Sequence, residues 1–143
     1  MKQQRKGGFL IAKIHQLGGR IFARILREHG IEINPSQGRI MFVLWRYDDI
    51  PIGELARRTS LEKSTLTSML DRLEKRGYIK RVQSSKDRRK IIIQRTQKDR
   101  DLEGLYVQVS QKMTELFYKD FSLEEIKRFE GYLERILHNL ESR

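Results

Sequence analysis

Between Lys63 and Gln94 the apolar residues change their period once, and that change restricts the fold more than any other feature. Leu66, Met69, Leu70 and Leu73 recur at three- and four-residue steps, the spacing of one helical stripe. Gly77 follows, suited to the left-handed residue that ends a helix. Beyond it, apolar-rich YIKRV (78–82) and RKIIIQ (89–94) flank a short charged loop, which predicts the two strands of a hairpin. A helix that passes through one glycine into a hairpin leaves few architectures open.

The flanking sequence supplies the rest. Residues 9–26 carry Leu10, Ile14, Leu17, Ile21 and Ile25 at helical steps, with Gly30 as a stop. In NPSQ, Asn34 caps a second helix, Pro35 takes its first position and Gln37 reaches back to the cap amide. DDIP ends that helix and leaves Ile50 for a short strand. A third helix holds Leu55 and Ala56 and ends near Thr59, and the fourth begins around Glu62. After the hairpin, Thr96 and Asp99 mark a fifth helix start, and Ser122 and Glu125 form a capping box for the sixth.

Two helices joined by a tight turn and followed by a hairpin predict a winged helix-turn-helix. The class is mainly α with a small β-hairpin wing. We expect one domain over 1–143, with a winged part at 34–95 and helical dimerisation parts at 1–33 and 96–143. The terminal helices carry apolar stripes wider than a small central domain covers, which predicts a homodimer.

Charge points to a partner. The net charge is +11, and 14 lysines and arginines against 4 acids between Arg57 and Lys98 account for +10 of it. One basic face is the footprint expected of nucleic-acid binding. The chain has no cysteine, so disulfides, thiolate metal sites and thiol redox sensing are excluded. No apolar run approaches the roughly 20 residues of a membrane span, and no leader is read at the N-terminus, so the expectation is a cytoplasmic protein.

From Ile33 to Thr96 the chain resembles the MarR family of bacterial and archaeal transcriptional regulators. The resemblance rests on Pro35-x-Gln37, Glu54-Leu55-Ala56, KSTLTSMLDRLEKRGYI (63–79) and Asp87-x-Arg89. The flanking helices agree in pattern and length. The chain departs from the family at Arg95-Thr96, where Leu-Thr is usual, and at Asp99, where glycine is common. The resemblance implies a pseudo-palindromic duplex DNA as partner and a homodimeric repressor as the active form. It also points to Arg89 as a residue inserted in the minor groove.

The residues themselves suit that role. With the apolar stripe of the fourth helix buried, Lys63, Ser64, Thr67, Ser68 and Arg72 face outward. Hydroxyls and long cations at the start of a helix suit the major groove. Ser64 and Thr65 are assigned to phosphate or base contact, Thr67 and Ser68 to base edges, and Arg72 to guanine or phosphate. A solvated helix face is the plainer alternative. In the loop, Lys86, Arg88 and Lys90 serve phosphates and contribute salt-dependent affinity. Asp87 is structural, holding the Arg89 guanidinium or the loop by a charge-assisted bond.

The resemblance further implies a small aromatic effector, for which His15, Met41, Trp45 and Met69 are the candidates; core packing is the simpler reading of the Met and Trp positions. His15, His29 and His138 do not share a metal-ligand spacing. Neither G-x-S-x-G nor a phosphate-cradling glycine loop occurs, so no enzyme, cofactor or metal is expected. The alternative function is a basic winged-helix adaptor for an acidic protein or RNA. An adaptor would carry exposed apolar anchors on the recognition face, and RNA stacking would want aromatics there. Tyr78 is the sole aromatic from 57 to 98.

Overall fold

A computed structural model describes residues 4–143. The elements run α1 (Gly7–Glu28), α2 (Pro35–Arg46), β1 (Ile50–Pro51), α3 (Ile52–Thr59), α4 (Lys63–Lys75), β2 (Ile79–Gln83), β3 (Ile91–Arg95), α5 (Gln97–Phe117) and α6 (Leu123–Glu141). The class is the expected one, mainly helical with a small antiparallel sheet. The sheet order is β1-β3-β2, so the returning strand of the wing is the central one. Ile93 pairs with Ile50 on one side and Arg81 on the other.

Local chemistry sets most boundaries. Asn34 accepts the Gln37 amide at 2.8 Å while the Gln37 side chain accepts the Asn34 amide at 3.2 Å. Ser122 and Glu125 repeat the device at α6, at 3.1 and 2.8 Å. Gly77 ends α4 at φ +83°, a region a side chain disfavours, and turns the chain into β2. The α5 start falls where Thr96 and Asp99 predict it, but only half of a capping box forms. Thr96 accepts the Asp99 amide at 3.4 Å, but the Asp99 carboxylate does not return to Thr96. It is spent on Arg95 and Trp45 instead.

The chain divides into two compact units, one reaching to Val109 and one running from Ser110. The first packs a single core from Leu26, Ile40, Leu44, Leu55, Leu66, Leu70, Leu73, Ile79, Ile93 and Val109. Tyr106 stands in it edge-on to Trp45 and Phe22, with ring centres 4.5 and 5.8 Å away. The second unit gathers Phe117, Tyr118, Phe121 and Phe129 into an aromatic cluster, where the Tyr118 hydroxyl donates to Glu130 at 2.9 Å. Large apolar side chains remain exposed on α1 (Phe9, Leu10, Ile14, Leu17) and on α6 (Leu123, Ile136, Leu137, Leu140). No helix of the described residues is long and apolar enough to cross a membrane.

Candidate nucleic-acid interface

The buried stripe of α4, Leu66, Leu70 and Leu73, faces the core, so the opposite side of the helix is presented outward. Lys63, Ser64, Thr65, Thr67, Ser68 and Arg72 are all exposed. Thr67 donates its hydroxyl to the Lys63 carbonyl at 2.9 Å, which fixes the rotamer of that side chain. The N-terminus of α4 differs from those of α2 and α6. Glu62 occupies the cap position in an extended conformation, and its side chain accepts no amide. The first-turn amides of α4 are thus left open, with the partial positive charge of the helix end behind them.

The loop Ser84–Lys90 is a closed turn. The Ser84 amide donates to the Lys90 carbonyl at 2.9 Å, and the Lys90 amide donates to the Asp87 carbonyl at 3.0 Å. The Ser84 hydroxyl accepts the amides of Lys86 and Asp87. Asp87 accepts the Arg89 amide at 3.0 Å and the Arg89 Nε at 3.3 Å. That carboxylate aims the guanidinium while 92% of the Arg89 side chain stays in solvent. Lys86, Arg88 and Lys90 are exposed as well.

Helix and loop share a surface. A cleft of ≈ 810 Å³ is lined by Pro51–Glu54 and Arg57 from β1 and α3, by Lys63 of α4, and by Arg89, Lys90 and Ile91 of the wing. Four cations and one acid therefore converge where the helix start faces the wing. Arg57 was absent from the sequence-based site, although it opens the basic window; its side chain is 71% exposed and 3.7 Å from Glu54.

Two cations of that window point elsewhere. Arg81 is held by Asp71 at 2.7 Å and Glu74 at 2.8 Å. The hydrogen bonds from Arg81 hold the Glu74 carboxyl below its ordinary range. Arg95 is buried, its Nε 2.6 Å from Asp99 and its Nη2 2.9 Å from Glu103. The basic face is accordingly less charged than the count of residues implies. Arg76 donates to the Glu32 carbonyl, which ties the end of α4 to the α1–α2 turn.

The effector candidates lie apart from two hollows in the structure. His15 is exposed on α1, Met41 is fully buried, and Met69 is half-buried. Trp45 packs on Tyr106 and donates Nε1–H to Asp99 at 3.2 Å. None of the four lines the cationic cleft or a second hollow of ≈ 530 Å³ at the α1–α2 turn. Met41 and Trp45 serve the core.

Comparison with known proteins gives a consistent picture. A model of the MarR family matches residues 33–91. The HTH-type transcriptional regulator TtmR of Methylorubrum extorquens is 34% identical over 86 residues, 60% of this chain and 43% of that protein. The chain spans about half the length of the first curated relatives it matches. Among solved structures, a MarR protein from Peptoclostridium difficile superposes with a TM-score of 0.88 at 19% identity, covering 99% of this chain and 91% of that one. A mutant MarR from E. coli complexed with operator DNA gives 0.81 at 24% identity, covering 91% and 92%. These likenesses show the fold.

Proposed function

We propose that this chain is a member of the MarR family and, from that premise, a homodimeric transcriptional repressor that binds duplex DNA sequence-specifically. The observation that carries this reading is the shared cleft. Lys63 at the start of α4 and Arg89 on the wing line one cationic surface, so a single duplex can meet both. In this reading α4 enters the major groove with Ser64, Thr65, Thr67, Ser68 and Arg72, and Arg89 reaches the adjacent minor groove. A narrow minor groove has the negative potential that attracts such a side chain. Lys86, Arg88 and Lys90 hold phosphates, and Asp87 orients Arg89. The exposed apolar faces of α1 and α6 join two copies. Their half-site centres then lie about one helical turn apart, roughly 34–36 Å.

A small aromatic effector is left out of this reading, because Met41 and Trp45 are committed to packing and to Asp99. An adaptor role is disfavoured by the outward face of α4, which carries hydroxyls and cations where apolar anchors would be needed.

Selection of bound sequences from a random duplex pool tests the proposal. A twofold-symmetric consensus is expected. Arg89→Ala should weaken binding to that consensus by about 1–3 kcal/mol while the far-UV circular dichroism stays unchanged. Recovery of no enriched sequence, at any salt concentration, would exclude the DNA-binding role.

A further inference from the structure

The base of the wing carries a buried ion pair. Arg95, the last residue of β3, has only 6% of its side chain exposed, and its partner Asp99 has 1%. Both partners make further contacts. Arg95 donates Nε–H to Asp99 at 2.6 Å and Nη2–H to Glu103 at 2.9 Å. Asp99 also accepts Trp45 Nε1–H at 3.2 Å, and Asp48 accepts the Arg95 backbone amide at 3.2 Å. One residue thus links β3 to the first turns of α5 and to the α2–β1 turn. Burial pushes the Asp99 carboxyl up from its ordinary range, against the bonds from Arg95 and Trp45 that favour its charge.

Such a pair is a costly way to fill a core. Apolar side chains of similar volume commonly do as well or better for stability, whereas a buried polar network over-determines one geometry. The geometry fixed here is that of the wing. β1 pairs with β3 only at Ile92 and Ile93, so the hairpin beyond Ile91 has no third strand beside it. Its attachments lie nearer the base, where Arg81 of β2 meets Asp71 and Glu74 of α4, Arg95 grips α5 and the Thr96 amide donates to the Tyr78 carbonyl at 3.2 Å. Arg89 stands six residues from Arg95, on the order of 20 Å along an extended strand. A tilt of about 10° at the base then moves the tip by about 3–4 Å, enough to break a groove contact.

Resting on the DNA-binding reading above, we propose that Arg95 and Asp99 are positioning residues for the wing, an internal clamp that sets where Arg89 stands against DNA. The two residues touch no DNA. Their effect on affinity passes through Arg89.

A double-mutant cycle tests this. Arg95→Leu with Asp99→Asn removes the pair without leaving a lone buried charge, and the Asn oxygen keeps a partner for Trp45. Binding to the duplex consensus selected by the wild-type chain is measured with this change, with Arg89→Ala, and with both. The clamp variant should lose about tenfold in affinity when Arg89 is present and less than twofold when residue 89 is Ala. Equal losses in both backgrounds, or no loss in a folded variant, overturn the proposal. Asp99→Asn alone, nearly isosteric, repeats the cycle should the double change fail to fold, with a smaller loss and the same dependence on Arg89. Amide hydrogen exchange on the free protein separates the clamp from the DNA reading. Exchange at 79–83 and 91–95 should speed up about tenfold while α2 is unchanged; uniform acceleration, or none, overturns the clamp whether or not DNA is bound.

Discussion

At the scale of single residues, Gly38 lies hard against the Tyr106 hydroxyl. A β-carbon at position 38 would collide with the Tyr106 hydroxyl, and the ring is wedged between Trp45 and Phe22. Gly→Ala inside a helix ordinarily gains about 0.5–1 kcal/mol, but overpacking a core costs about 1–3 kcal/mol. The collision wins here, so Gly38→Ala should lower the unfolding free energy by about 1 kcal/mol in urea titration. Adding Tyr106→Phe should restore it, because the next ring atom would lie 3.7 Å from the new methyl, an ordinary contact. Residues of this kind are hard to read from sequence. Asp99 was legible as a helix-start residue, Arg95 and Asp99 together only as a departure from a family pattern, and Arg95 was counted into the basic face. What buries them is Trp45 and Glu103, and nothing local to position 95 announces Trp45.

At the scale of elements the sequence was more transparent, because helix ends and hairpins are decided by neighbours in the chain. Asn34 with Gln37, Ser122 with Glu125, and Gly77 could each be named from a few residues. The Thr96–Asp99 signal placed the start of α5 correctly, although a tertiary cation took the carboxylate that a full capping box would have returned to the Thr96 amide. Arg81 joins α4 to the wing by bridging Asp71 and Glu74 from strand β2. Glu74 titrates below its ordinary 4.5 because Arg81 bonds to its charged form. A depressed carboxyl contributes stability above its ordinary pKa and loses it as pH falls through the folded value. Glu74→Gln should therefore cost a few tenths to about 1 kcal/mol near neutral pH, the range for a partly exposed pair. Thermal melts of the two proteins should converge below pH 4.5; a gap that persists in acid would rule out the charge as its origin.

At the scale of the molecule, the uncovered apolar side chains of α6 lead to an expectation about assembly. Leu137→Glu with Leu140→Glu should turn a dimer into a monomer by light scattering while helix content is kept, and a dimer that survives would place the interface elsewhere. The start of α4 leads to a second expectation. Unlike α2 and α6, α4 has no side chain closing its first turn, because the cap position is held by Glu62. Glu62→Asp keeps the charge but shortens the side chain to one that caps well, and should raise the free protein's stability by about 0.5–1 kcal/mol. The same change should weaken DNA binding, since amides already satisfied have less to offer a phosphate oxygen. A more heat-resistant protein that is a poorer regulator would mean that α4 is left unfinished in the free chain and is completed by the duplex it reads.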